Sequence, residues 1–283
     1  MTARTFEYVR QLVLTRSAIV LEAGKEYLVE SRLLPLAKVH GFNTLDDFID
    51  AMAANSFGTM HRQTVEAMTT NETSFFRDIH PFDALRKHIL PELIAKKALT
   101  RQLNIWCAAA STGQEPYSMV MLLKEHFPEL ATWKVSFLAT DLSNAVLAKA
   151  RSGRYGQLEV NRGLPAPLLV KYFTKDGTEW IIREELRNQI DFRELNLIEA
   201  WPTMMPLDLV MIRNVLIYFD IPTKKKILTN IRQRLAPHGY LMLGGAETTM
   251  GLDDQYERVQ IDKGIAYRQV SAAGTAGRAY AAA

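Results

Sequence analysis

Apolar residues recur at helical spacing through the first third of the chain. Phe6, Val9, Leu12 and Val13 form one set, Leu28, Leu33, Leu34 and Leu36 a second, and Leu45, Phe48, Ile49 and Met52 a third. Steps of three and four place each set on one face of a helix, so residues 4–97 read as helical and begin as a small bundle. Gly41 supplies a C-terminal stop, and Asn43 or Thr44 a cap for the helix that follows. Residues 69–78, reading TTNETSFFRD, break the periodicity with polar groups around an aromatic pair, before Pro81 opens a further helix of roughly four turns.

From residue 103 the texture changes to short apolar runs separated by amphipathic stretches. The runs at 103–107, 134–140, 190–195, 207–212 and 240–244 read as buried strands. Helices are expected near 115–127, 143–151 and 222–235, the last with Pro222 in its first turn and Pro237 and Gly239 beyond its end. Such alternation predicts a parallel sheet covered on both faces. Segments 256–261 and 265–270, joined by Asp262-Lys263-Gly264, read as a hairpin at the sheet edge. The polar stretch 154–189 holds a short helix at 166–173 and a strand-like run at 178–183, and reads as a small β-rich insertion. The expected divisions are a helical domain and linker loop at 1–80, an α/β domain at 81–270 and a mobile tail, mostly Ala and Gly, at 271–283.

Composition narrows the class. With 283 residues, 48% hydrophobic and 23% charged, the chain has the make-up of an ordinary globular protein with a sizeable core. A formal charge of +3 with no run of five like charges argues against extended nucleic-acid binding, and Lys224-Lys225-Lys226 reads as a solvated helix face. One cysteine, Cys107, excludes an internal disulfide, and the six histidines lack metal-ligand spacing, so no metal is expected. Arg4, Glu7 and Arg10 interrupt the N-terminus, which lacks the apolar core of a signal peptide. No stretch approaches the roughly 18–20 apolar residues of a membrane span. A cytoplasmic location is expected, with membranes reached only through a partner.

The candidate chemistry begins after the first strand, at Ala108-Ala109-Ala110-Ser111-Thr112-Gly113-Gln114-Glu115. Small residues there let backbone and ligand approach each other at the carboxyl end of a sheet. The dinucleotide pattern GxGxxG is absent, and Glu115 stands where a pyrophosphate would need N–H groups and no carboxylate. An acid suits a cation, and S-adenosylmethionine carries a sulfonium and an α-ammonium. Glu115 equally fits an N-terminal helix carboxylate that favours the macrodipole. Asp141, at the end of the second strand, is a candidate acceptor for ribose hydroxyls or else a cap for the helix near Ser143.

Taken with its surroundings, WCAAASTGQEPYS at 106–118 resembles the cofactor loop of the CheR family, the chemotaxis receptor glutamate O-methyltransferases. TTNETSFFRD at 69–78 is similar to the family's loop between helical and catalytic domains, ATDLS at 139–143 to its ribose strand, LNLIE at 195–199 to its adenine-side turn, and IRNVLIYFD at 212–220 to its active-site strand end. Order and spacing agree over about residues 1–270. Two departures are mild: Glu72 stands where an apolar residue is frequent, and Gln114 replaces a frequent Glu, leaving Glu115 to match the ligand carboxylate.

The resemblance implies an α/β fold of class I S-adenosylmethionine-dependent methyltransferase type, a Rossmann-like sheet with an N-terminal helical domain and a small inserted β-subdomain. It implies that Asn71, Thr73, Arg77, Ala109 and Glu115 line the cofactor pocket together with Asp141, Asn196, Leu197, Ile212 and Arg213. Arg77 and Tyr218 would face the transferred methyl group. Read alone, Arg77 fits a surface ion pair with Asp78 or a nearby acid, Tyr218 a half-buried core residue, and Phe75 and Phe76 core anchors for the loop.

The implied reaction esterifies receptor glutamates and releases S-adenosylhomocysteine, without a metal. Its partners would be the methylation helices of chemotaxis receptors. Lys25, Arg32 and Lys38 on the second helix would meet their acidic surface, or would simply be solvated. The insertion resembles a subdomain that in some members tethers a receptor's C-terminal peptide, although 174–180 is short for that task. A methyltransferase with another acceptor, or a non-catalytic module that senses the cofactor, remains open. The missing glycine pattern disfavours a nicotinamide oxidoreductase.

Overall fold

A computed structural model describes residues 1–270, so the expected tail at 271–283 lies outside the described residues. Four helices open the chain: α1 (Ala3–Ser17), α2 (Glu26–Val39), α3 (Leu45–Ala53) and α4 (Thr59–Met68). Of the two candidate caps before α3, Thr44 takes the role, its hydroxyl accepting the Asp47 N–H. Leu45, Phe48, Ile49 and Met52 of α3 pack with Phe6, Val9 and Val13 of α1 and with Val29, Leu33 and Ala37 of α2. Full burial of each large apolar side chain contributes about 1.5–3 kcal/mol. The bundle therefore has a core of its own.

Next, Ile79–Ala84, Leu85–Ile89 and Leu90–Lys97 follow one another as a helix with a π-type middle turn. The helix begins two residues before Pro81, which sits in the first turn where an absent N–H costs nothing. A widened turn just ahead of Pro91 gives its ring room.

Ten strands follow: β1 (Gln102–Ala108), β2 (Lys134–Asp141), β3 (Arg154–Gly156), β4 (Phe173–Asp176), β5 (Glu179–Ile182), β6 (Asp191–Glu194), β7 (Leu207–Ile212), β8 (Leu235–Leu243), β9 (Tyr256–Ile261) and β10 (Gly264–Gln269). Seven make one sheet in the order β6-β2-β1-β7-β8-β10-β9, with β10 antiparallel to both its neighbours and the pairs from β6 to β8 parallel. Alternate residues face opposite cores. Ile105 and Cys107 join one, with Tyr117 and Met121, while Trp106 and Ala108 join the other, with Ile227 and Ile231. Coverage on both faces is why these strands read as continuous apolar runs.

The methyltransferase sheet, the helical domain and the small antiparallel sheet expected from the sequence are all present. One element differs. β8 starts at Leu235 and contains Pro237 and Gly239, which the sequence placed in a loop. Its pairing with β7 shifts register between Leu207 and Leu209, which accommodates the missing proline N–H. A Cβ on Gly239 would stand 2.7 Å from the Leu207 carbonyl oxygen, so the close strand approach needs glycine. In the insertion, β3, β5 and β4 form an antiparallel sheet, with Gly177 turning β4 into β5.

Candidate functional site

The chain runs outward from β1 through β2 to β6, then returns to place β7 on the other side of β1. That reversal opens a crevice beyond the carboxyl ends of β1 and β7. The loop leaving β1 is strained. Ala109, Ser111 and Gly113 have φ of 55°, 51° and 96°, a region costly for residues with a Cβ. Hydrogen bonds hold it there: Ala110 N–H donates to the Thr140 carbonyl at 2.9 Å, Ser111 N–H to Asp141 Oδ2 at 2.8 Å, and the Tyr155 hydroxyl to the Thr112 carbonyl at 2.6 Å. The loop delivers the helix Gln114–His126, with Glu115 in its first turn.

Asp141 closes β2 and is buried. Its second oxygen accepts the Ser143 N–H at 3.0 Å, while the cap of the helix Asn144–Ser152 is Ser143 itself. Asp141 therefore ties two loops together instead of capping that helix. Burial pushes its carboxyl above the ordinary aspartate range, against the opposing pull of the Ser143 and Ser111 N–H groups.

The linker 69–78 is fastened at several points. Phe75 is fully buried, edge-on to Tyr155 at 5.2 Å and Phe173 at 5.7 Å, which anchors the linker to the small sheet. Gly163 passes so close that a Cβ would fall 2.1 Å from the Phe75 carbonyl oxygen. Phe76 packs against Phe82, and its N–H donates to Ser118 Oγ at 2.9 Å. Glu72, the departure from the family pattern, pairs with Arg162. Arg77 donates from Nη1 to the Glu72 carbonyl at 3.0 Å, and among the described residues no carboxylate lies within ion-pair distance of it. The ion pair weighed for Arg77 goes elsewhere, because Asp78 is held by Arg213 at 2.9 Å.

Arg213, just past β7, has a side chain only 1% exposed. Its guanidinium donates to Glu115, to Asp78 and to the Arg77 carbonyl, joining strand tip, helix and linker. Removing one partner of such a buried pair costs about 3–5 kcal/mol. Tyr218 follows in the short turn Leu216–Tyr218, and its hydroxyl has no hydrogen-bond partner among the described residues. Ile212 does not reach the cleft. Strand alternation turns it into the core shared with Trp106 and Ala108.

The helical domain roofs the crevice. Ser17 and Ile19 line it together with Thr69 and Thr70. Asn196 Nδ2 donates to the Arg16 carbonyl at 2.8 Å, Val20 N–H to the Tyr218 carbonyl at 3.1 Å, and the Ser143 hydroxyl to Glu66 at 2.9 Å. Arg32 corrects the sequence reading. It turns inward and donates to the Met68 and Thr69 carbonyls, both at 2.8 Å, which closes the end of α4. Lys38 is exposed, and Lys25 is half-buried ahead of α2.

The resulting cleft brings together Arg77, Glu115, Asp141, Arg213 and Tyr218. Asn71, Thr73, Ala109, Asn196 and Leu197 also line it. Ser17, Ile19, Asn214 and Phe219 line it too, although sequence reasoning did not single them out. Asn214 and Phe219 lay inside a quoted motif, whereas Ser17 and Ile19 carry no local signal.

Residues 71–265 match the family model described as CheR methyltransferase, SAM binding domain, and residues 4–69 match that of its all-alpha domain. The chain belongs to the CheR methyltransferase family. It is 40% identical over 267 residues to Chemotaxis protein methyltransferase 1 of Pseudomonas aeruginosa, covering 93% of this chain and 97% of that one. Chemotaxis protein methyltransferase Cher2 of Pseudomonas putida is 39% identical over the same shares. The Chemotaxis protein methyltransferase of Escherichia coli is 34% identical over 89% of this chain and 86% of its own.

As a CheR methyltransferase the protein uses S-adenosylmethionine, and its cleft has a fitting donor set. Two carboxylates, Glu115 and Asp141, line it and suit cationic groups and a diol, and Ile19, Leu197 and Phe219 add apolar surface that would suit a base. Two buried polar atoms of residues in the cleft wall, Arg213 Nε and Asn214 Oδ1, have no partner among the described residues. Such atoms are costly unless a ligand or water meets them.

Proposed function

We propose that the protein transfers the methyl group of S-adenosylmethionine to glutamate side chains of chemotaxis receptors, leaving glutamate methyl esters and S-adenosylhomocysteine. The observation that carries this reading is an Arg77 guanidinium without an ion pair and a Tyr218 hydroxyl without a hydrogen bond, among the described residues, both lining the cleft that holds Glu115 and Asp141. Two donors not committed to an ion pair suit an anionic acceptor.

When bound, S-adenosylmethionine supplies an electrophilic methyl group on a sulfonium. Glu115 would neutralise its α-ammonium, with Arg213 fixing the carboxylate's direction. Asp141 would accept the ribose hydroxyls, and Asn196 and Leu197 would border the adenine. Asn71, Thr73 and Ala109 would close the pocket around the amino-acid end.

An acceptor glutamate, with an ordinary pKa near 4.3, is already anionic at neutral pH and needs no general base. Arg77 and Tyr218 donate to one carboxylate oxygen, replace its water and leave the other oxygen free to attack. The grip must stay loose. Charge disappears as the ester forms, so a tight two-point clamp would favour the ground state over the transition state. Arg77 already commits one N–H to the Glu72 carbonyl, which limits its hold.

We place the protein in the cytoplasm, meeting receptors through their methylation helices near Lys38 on α2. Strands β3 and β4 form the two edges of the small sheet, where a receptor's C-terminal peptide would add by strand pairing. No helix among the described residues is long and apolar enough to cross a membrane.

The test is incubation with methyl-labelled S-adenosylmethionine and a receptor cytoplasmic fragment, followed by alkali. Release of the label as methanol is expected. Label that resists alkali would move the acceptor to another group, and binding without transfer would leave a sensing module.

A further inference from the structure

The turn that presents Tyr218 is wound around a carboxylate from another strand. Glu247, four residues beyond β8, is 9% exposed and does not line the cleft. Its Oε2 accepts the Gly244 N–H at 2.7 Å and the Asn214 N–H at 2.8 Å. Its Oε1 accepts the Val215 N–H at 2.9 Å and the Ile217 N–H at 3.3 Å. Those four bonds use the full acceptor capacity of a carboxylate. Asn214 sits at φ 59°, a conformation that asparagine tolerates but that needs holding. The space is closed, since a Cβ on Gly244 would stand 2.7 Å from Asn214 N and 2.8 Å from Glu247 Oε2.

We propose that Glu247 is a positioning residue for methyl transfer, fixing the backbone between Arg213 and Tyr218 so that the phenol is aimed at the acceptor. The inference rests on the acceptor-side role given to Tyr218 above. Glutamine is nearly the same size but replaces one acceptor oxygen with an N–H₂ facing backbone donors, so the turn must shift. Misplacing a catalytic group by about 1 Å can cost about 100-fold in rate.

The experiment is a double-mutant cycle of Glu247→Gln with Tyr218→Phe, reading turnover with a receptor fragment and cofactor affinity by calorimetry. Tyr218→Phe alone tests the prior reading, and native turnover in that variant would sink the role of Tyr218 whatever Glu247 does. Given a slow Tyr218→Phe, Glu247→Gln is expected to lower turnover about 10-fold to 100-fold in the native background and far less in the Phe background. Cofactor affinity should stay within about threefold. Glu247→Asp, which keeps the charge with a shorter reach, should recover part of the rate and replaces Glu247→Gln in the cycle if that variant does not fold. Equal losses in both backgrounds, native turnover in Glu247→Gln, or affinity falling in step with turnover would overturn the proposal.

Discussion

On the back wall of the cleft each carboxylate already has partners: Glu115 holds Arg213, and Asp141 accepts two backbone N–H groups. On the front wall the Arg77 guanidinium makes one bond to a carbonyl, and the Tyr218 hydroxyl makes none among the described residues. The first arrangement is held by contacts within the protein, which fix its geometry. The second keeps donors free, and free donors beside a shaped pocket are what an incoming anion requires. Arg213 is the hinge between the two, because it holds Glu115 behind and Asp78 with the Arg77 carbonyl in front.

Breaking that hinge should have the largest effect. Arg213→Ala leaves Glu115 buried without its cation and is expected to lower stability by about 3–5 kcal/mol in urea unfolding, with both cofactor affinity and turnover falling. Native affinity in that variant would mean that the walls are built independently. Arg77→Ala should separate them, lowering turnover about 10²-fold or more while cofactor affinity measured by calorimetry falls much less.

Asp141→Asn probes the back wall alone. It should weaken cofactor binding about 10-fold, with turnover at saturating cofactor nearly kept. Because burial raises the Asp141 carboxyl, the folded protein takes up that proton at a higher pH than an ordinary aspartate would. Cofactor affinity should therefore begin to fall on acidification earlier than an aspartate near 3.9 would give, and the part due to this group should vanish in Asp141→Asn. The smallest effect is expected from Arg32→Ala, which uncaps α4 and should cost about 1–2 kcal/mol in the same unfolding assay.

Most of the sheet was legible because buried parallel strands are short apolar runs and their helices carry period and caps. The back wall was legible for a related reason. Its loop, 109–115, is one contiguous segment at a strand tip, so its place beside the cleft follows from small residues between a strand and a helix. What stayed hidden depends on contacts across the chain. Ser17 and Ile19 reach the cleft only because the helical domain docks over it, and Arg32 looked like a surface cation until α4 was placed beside it. Asp78 neighbours Arg77 in sequence, yet at φ 57° it bonds Arg213 instead. Glu247 belongs to no quoted motif, since its meaning lies in four backbone groups, three of them about thirty residues away.

A calorimetric titration of the unmodified protein with S-adenosylhomocysteine, with no receptor present, tests the preformed back wall most directly. Saturable binding at one site per chain is expected. No uptake, or uptake only after a receptor fragment is added, would contradict it.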